Sequence, residues 1–357
     1  MPDEQPRAGA SRRLAIDLRT DEITQPTEEM WRAVRKADSG WAKMGENASV
    51  HELEAFAAEL AGKEAAMYIP TGSMANLVAL MSHTERGDQI ILEASSHILW
   101  SEQLSLGYVC GVVPRAVEGD RGHIDPYLLQ ISLAERKFSY RPHTSLICLE
   151  NTHNAAGGAA ISAIAISEVV SVAREHNVAV HMDGARIFNA CMALQVDLRE
   201  LVAGVDSLMI SLGKGLSAPG GNLLVGGKSF LQQSRVNLRR LGGHSTKAGP
   251  YAAAGLIALK TMVPQLLEDN LRARLLASQL ASVEGISVDL DAVQTNIVMV
   301  TIERSDMSAH TVADQLAACG IGSYPYLFNV LRLVTHRHIT DQDVEQVVRE
   351  IADILQS

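Results

Sequence analysis

Two apolar runs constrain this chain's fold more than any other feature. Val178, Ala179, Val180, His181 and Met182 read as a strand that ends at Asp183-Gly184-Ala185-Arg186. Ser207 to Leu212 read as a second strand, ending at Gly213-Lys214-Gly215. One run delivers an acid at its C-terminal edge and the other a lysine between glycines. Strands that present charged residues in this way suit a parallel sheet with its binding site at the carboxyl edge.

The preceding chain supports such a sheet. Ala65 to Ile69 reads as a strand, followed by Pro70-Thr71-Gly72-Ser73 and a helix from Met74 to Met81. Gln89 to Glu93 is a strand leading to Ser95-Ser96-His97. Thr144 to Leu149 is a buried strand ending at Glu150-Asn151-Thr152-His153-Asn154, and a helix over 162–176 returns to Val178. Alternation of this kind predicts right-handed crossovers and a largely parallel sheet. Thr27 predicts an N-cap, and His51 to Leu60 an amphipathic helix stopped at Gly62. Asn222 to Val225 adds a strand, and Gly242-Gly243 with Gly249-Pro250 mark a boundary. Beyond it come one long helical pattern from Ala252 past Leu280, strands over 296–302 and 330–334, and helices over 309–318 and 341–355. The expected organisation is a disordered lead (1–13), a large domain (14–250) and a small α+β domain (251–357).

Bulk properties exclude several classes. A net charge of -10, with no lysine- or arginine-rich block, argues against nucleic acid and anionic lipid as partners. The cysteines, Cys110, Cys148, Cys191 and Cys319, are too widely spaced for a metal cluster, so no metal is expected and free thiols in a reducing cytoplasm are. No run has the length of a membrane span, and the polar start lacks a signal-peptide core.

An acid and a lysine at one sheet edge suit pyridoxal phosphate. That cofactor needs a lysine to anchor it and an acid to keep its ring nitrogen protonated. On the pair alone, Asp183 as a turn cap and Lys214 as a solvated lysine remain open. The strand, Gly72-Ser73 turn and helix have the layout in which helix N-terminal amides bind phosphate, though many βα turns share it.

Longer motifs carry a resemblance. Ile16-Asp17-Leu18-Arg19-Thr20-Asp21, Gly62-Lys63-Glu64-Ala65-Ala66, Pro70-Thr71-Gly72, Leu149 to Asn154, His181 to Ala190, Gly213 to Leu216 and Arg332-Leu333-Val334-Thr335-His336 resemble the low-specificity L-threonine aldolases. The resemblance runs from about Leu14 to the C-terminus. It implies an α/β, fold-type I pyridoxal-phosphate enzyme of the transferase-like class, with a mostly parallel seven-stranded sheet domain and a smaller α+β C-terminal domain. By this resemblance Lys214 is the Schiff-base lysine, Asp183 the partner of the pyridine nitrogen, and His97 the ring-stacking imidazole and proton acceptor. Gly72 and Ser73 form the phosphate turn, while Arg186 and Arg332 hold the substrate carboxylate. Thr20 stands for the family's motif serine at the substrate.

The chain departs from the family around the substrate's Cβ. Met44 stands where the family has a tyrosine, Tyr140 where it has a histidine, and Gly213 where it has a serine before the lysine. Thr246 replaces the arginine that reaches a neighbouring subunit's phosphate, and Lys247 stands one residue away as a substitute charge. The expected activity is cleavage of the Cα–Cβ bond of a β-hydroxy-α-amino acid to glycine and an aldehyde. Met44 and Tyr140 keep a β-eliminating or β-replacing lyase on a substituted alanine as the alternative. A cytoplasmic homo-oligomer, a dimer of dimers with a shared site, is also implied.

Overall fold

The computed structural model describes residues 14–38, 40, 45–134 and 142–356. Its large unit is built on strands β1 (Ala65–Ile69), β2 (Gln89–Glu93), β3 (Val113–Val117), β4 (Thr144–Glu150), β5 (Ala179–Gly184), β6 (Ser207–Ser211) and β7 (Asn222–Gly226). Their spatial order is β1-β7-β6-β5-β4-β2-β3. Only β7 runs antiparallel to its neighbours. The carboxyl ends of β1, β4, β5 and β6 therefore share one edge.

The longer helices are α1 (Glu28–Lys36), α2 (Ala48–Ala61), α3 (Gly72–His83), α4 (Pro126–Ala134), α5 (Ala163–Glu175), α6 (Ile187–Leu194), α7 (Lys228–Arg240), α8 (Gly249–Thr261), α9 (Gln265–Leu280), α10 (Ala309–Ala318) and α11 (Asp341–Gln356). Thr27 caps α1 by accepting from Met30 N at 3.2 Å. Gly62 ends α2 at φ +63°, a conformation that costs glycine no Cβ clash. One face of the sheet packs on α2, α5, α6 and α8 through residues such as Leu53, Val169, Ile187 and Ala254. The other face packs on α3 and α7 through Val78, Ala79, Leu231 and Leu238. Burying both faces is what the near-continuous apolar strands require.

A second core is formed by α9, α10, α11 and the antiparallel strands β8 (Ile286–Ser287), β9 (Ile297–Ile302), β10 (Tyr324–Leu327) and β11 (Val330–Val334), in the order β8-β9-β11-β10. Ile16 and Leu18 join this core from the other end of the chain, where Ile16–Asp17 pairs with Ile321–Gly322. The single long helix expected beyond Ala252 is two helices. Pro264 lies between them, and a proline removes a hydrogen bond and clashes with the preceding turn. The boundary expected at 250/251 falls inside α8, whose Ala252, Ala254 and Ala258 lie in the core of the large sheet.

Candidate active site

The carboxyl edge opens into a cavity of about 940 Å³. Asp183, the penultimate residue of β5, lies nearly fully buried at its floor. Its Oδ1 accepts from Ala185 N at 3.0 Å, and its Oδ2 from Asn76 Nδ2 at 2.9 Å. Gly184 is required here by space, since a Cβ would meet the Met209 carbonyl oxygen of β6 at 2.5 Å. Lys214 follows β6. Its backbone carbonyl accepts from Thr24 Oγ1 at 2.7 Å, and its Nζ lies 3.6 Å from Glu22 in a partly solvated pair.

Gly72 and Ser73 begin α3 and line the same cavity. Thr71 caps the helix by accepting from Met74 N at 3.3 Å. A Cβ at Gly72 would stand 3.4 Å from Asn222 Oδ1, so the turn lies in contact range of β7. The first amides of this 12-residue helix have no intrahelical acceptor and favour an anion. An acid at the floor, a lysine in the same cavity wall and an anion-binding helix start fit the three handles of pyridoxal phosphate: ring nitrogen, aldehyde and phosphate.

His97 begins a one-turn helix (His97–Trp100) after β2. Its backbone N donates to Glu150 Oε2 at 2.5 Å, and its Nε2 stands 3.5 Å from Glu102. The Glu102 carboxylate raises the imidazole above its ordinary value, against the opposing effect of burial. Glu102 itself is raised by burial, partly offset by His97. Glu150 also accepts from Asn154 N at 2.7 Å, and Asn154 Oδ1 accepts from Arg332 Nη1 at 3.1 Å. One carboxylate thereby ties the histidine loop to the arginine of β11.

The two arginines sit in different settings. Arg186 Nε and Nη2 form a bidentate pair with Asp21 at 2.8 and 2.7 Å. Burial alone would raise the Asp21 carboxyl, but the Arg186 guanidinium holds it down at about 2. Arg332 instead has neutral partners: Asn154 Oδ1, the Arg19 carbonyl at 3.2 Å, and the rings of Tyr324 and Tyr326 at 4.8 and 5.9 Å. Burial and the nearby Arg186 charge lower Arg332. Its Nε is buried without a hydrogen-bond partner among the described residues. A guanidinium so placed is suited to an incoming carboxylate.

The cavity wall thus contains Gly72, Ser73, His97, Asp183, Arg186, Lys214, Thr20 and Arg332. Thr20 also caps a 3-10 turn by accepting from Glu22 N at 3.3 Å. Lys247 is exposed and is not among the residues lining the cavity. Met44 and Tyr140 lie outside the described residues. Sequence reasoning assigned no role to Asn76, Glu102, Glu150, Asp21, Tyr324 or Tyr326. Asp21 and Glu150 lay within motifs already noticed, but their partners are distant in sequence.

The family model for beta-eliminating lyases matches residues 17–303. Low-specificity L-threonine aldolase 1 of Arabidopsis thaliana is 36% identical, covering 92% of this chain and 93% of that protein. The low specificity L-threonine aldolase of Escherichia coli K12 is 34% identical over 93% of this chain and 97% of its own. Among solved structures, a putative L-allo-threonine aldolase from Listeria monocytogenes superposes with a TM-score of 0.79 at 20% identity, covering 96% of this chain and 97% of that one.

Proposed function

Since the chain belongs to the β-eliminating lyase family, together with the low-specificity L-threonine aldolases, we infer that it is a pyridoxal-phosphate lyase. It cleaves the Cα–Cβ bond of a β-hydroxy-α-amino acid of the threonine type, giving glycine and an aldehyde. The observation that carries this reading is the convergence of Lys214, Asp183, His97 and Arg332 on one cavity, from positions far apart in the chain.

Bound here, pyridoxal phosphate supplies the electron sink that takes up the pair left at Cα when the bond to Cβ breaks. The chain's own residues do the rest. Lys214 anchors the cofactor, Asp183 holds its ring nitrogen and the α3 amides at Gly72 and Ser73 hold its phosphate. Arg332 binds the substrate carboxylate and Arg186 lines the same wall, its fork shared with Asp21. This grip would fix the substrate's orientation, and with it which Cα bond is set up to break. His97 accepts the β-hydroxyl proton as Cβ becomes the aldehyde carbonyl, and Glu102 stabilises the imidazolium that results. A proton returned to Cα completes glycine.

Thr20, Met44 and Tyr140 are assigned to the substrate side. We read the large-sheet unit, which extends through α8, as the cofactor-binding unit and the smaller unit beyond it as the one that contributes Arg332. The working form is a cytoplasmic homo-oligomer, a dimer of dimers, with Lys247 directed to a neighbouring subunit's cofactor. Support comes from an apolar surface beside the cavity mouth, where Trp100, Leu104 and Tyr108 are 72%, 88% and 90% exposed. Among the described residues no helix is long and apolar enough to cross a membrane.

Product analysis tests the activity. The cofactor-loaded protein is given L-threonine, L-allo-threonine, L-phenylserine, L-serine and L-cysteine, and glycine, aldehyde and keto acid are read together. Glycine with matching aldehyde is expected. Keto acid without glycine would overturn the aldolase reading in favour of β-elimination.

A further inference from the structure

Behind Asp183 a buried file of hydrogen bonds leads away from the cavity. Asn76 of α3 donates from Nδ2 to Asp183 Oδ2 at 2.9 Å and to Glu102 Oε1 at 3.2 Å. Its Oδ1 lies 3.2 Å from His181 Nε2, and His181 Nδ1 lies 2.8 Å from Ser207 Oγ. Ser207 Oγ is in turn 2.8 Å from Nε2 of His83, whose ring stacks on Phe230 with centroids 4.3 Å apart.

The polarity of this file is fixed by its chemistry. A carboxamide between two carboxylates must turn its NH2 to them, which leaves Oδ1 as an acceptor. His181 Nε2 therefore carries a proton. Burial pushes the His181 imidazole down to about 3, so the ring is neutral and its Nδ1 is bare. That nitrogen accepts from the Ser207 hydroxyl. The hydroxyl oxygen then accepts from His83 Nε2–H, on a ring that burial pushes down to about 4. Every donor in the file points towards Asp183.

We infer that His83, Ser207, His181 and Asn76 form a positioning relay that stabilises negative charge on Asp183, so that the shared proton stays on the cofactor's pyridine nitrogen. Hydrogen bonds in series and in one sense polarise each other, which makes the donor nearest the carboxylate stronger. Packing alone would require these groups to be paired, but not to point one way. Among the described residues, Asn76, the Ala185 amide, Glu102, His97, His153 and Cys148 also share the surroundings of Asp183, and the file through Asn76 runs along the α3 face of the sheet to its amino edge. The inference rests on the cofactor assignment and is independent of which substrate bond breaks.

The test is the pH midpoint of the absorbance change of the lysine-linked cofactor, measured in the holoenzyme alongside thermal melting. A ring nitrogen that loses its proton to Asp183 withdraws less charge from the lysine-linked nitrogen, which then keeps its own proton to higher pH. Ser207→Ala should raise the midpoint by about half a unit to one unit, the size of one hydrogen bond. Ser207→Thr, which keeps the hydroxyl, should restore it. His83→Phe, at the half-buried end, should shift it in the same direction by less, and it carries the test should Ser207→Ala fail to fold. Lower melting temperatures with midpoints indistinguishable from wild type would overturn the relay and leave a structural role only. Product analysis of the wild-type sample separates the two readings: no glycine from wild type, with the Ser207→Ala shift present, would sink the aldolase and leave the relay standing.

Discussion

The floor of the cavity and its mouth are built on different principles. At the floor, Asp183, Asn76 and His181 are buried, each hydrogen-bonded with a defined direction, on strands and a helix packed on both sides. At the mouth, Trp31, Trp100, Tyr324 and Tyr326 line the opening with partly solvated rings. Groups at the floor are over-determined by their surroundings, so they suit a cofactor whose shape never changes. The mouth holds side chains with room to move, which suits substrates that vary at Cβ. The two regions should therefore answer mutation differently.

The largest effects are expected where cofactor chemistry is concentrated. Lys214→Ala should remove the covalent anchor and lower kcat by about 1,000-fold or more. Asp183→Ala should cost about 100- to 1,000-fold, as for loss of a preorganised electrostatic partner in a buried site. Steady-state glycine formation and cofactor absorbance, read together, check both. Near-normal kcat with a normal cofactor band in Asp183→Ala would break the distinction between floor and mouth.

The two arginines sharpen it. Arg332 is offered to the cavity with neutral partners, whereas the Arg186 fork is committed to Asp21. Arg332→Ala should lower kcat/KM by about 10- to 100-fold, chiefly through KM, with little change in melting temperature. Arg186→Ala leaves the buried Asp21 carboxylate without its ion-pair partner and, among the described residues, with only Asn296 donating to it, and should cost on the order of 3 kcal/mol of stability as well as activity. Parallel kinetics and thermal melts distinguish the pair. Equal losses of stability would show that the two do not differ in setting.

Legibility in the sequence followed the same division. The strands ending at Asp183 and Lys214 and the turn at Gly72 were readable because a buried parallel strand leaves an apolar run bounded by glycine, and the edge places its functional residues next in the chain. The Asp21 to Arg186 pair was not readable, because the partners are 165 positions apart and no local period links them. Tyr324 and Tyr326 lie on a short edge strand with no clear alternation, and their stacking on Arg332 arises only from strand pairing. The break between α8 and α9 was marked by Pro264, but the apolar pattern on either side kept a single phase and hid it.

A smaller effect probes the boundary between the regions. Glu102 stands between His97 at the mouth and Asn76 at the floor. Its carboxylate raises the His97 imidazole, and in the proposed mechanism His97 must be neutral to accept the β-hydroxyl proton. Glu102→Gln should therefore move the acid limb of the kcat/KM profile to lower pH, by roughly half a unit to one unit. An unmoved limb would mean that another group governs it.

The smallest effect on activity, and a distinct one on stability, concerns a buried carboxyl outside both regions. Asp269 on α9 is buried, and neither of its oxygens closes a hydrogen bond of good geometry among the described residues, although Gln265 lies near enough to favour ionisation somewhat. Burial raises its carboxyl from 3.8 to about 7. Its folded value is thus above its unfolded one, so its contribution to stability is complete below about pH 4 and is lost as pH rises through about 7. Asp21, equally buried, has the opposite sign because Arg186 meets it: its contribution is present above 3.8 and lost as pH falls through about 2. Asp269→Asn should leave kcat/KM within about twofold, and from pH 5 to pH 8 should remove a loss of stability on the order of 1 kcal/mol or more. Denaturant midpoints of the two proteins across that range are the measurement. Parallel curves would place the ionised Asp269 within reach of a compensating charge, Arg272 and Arg337 being the cations nearest to it in effect.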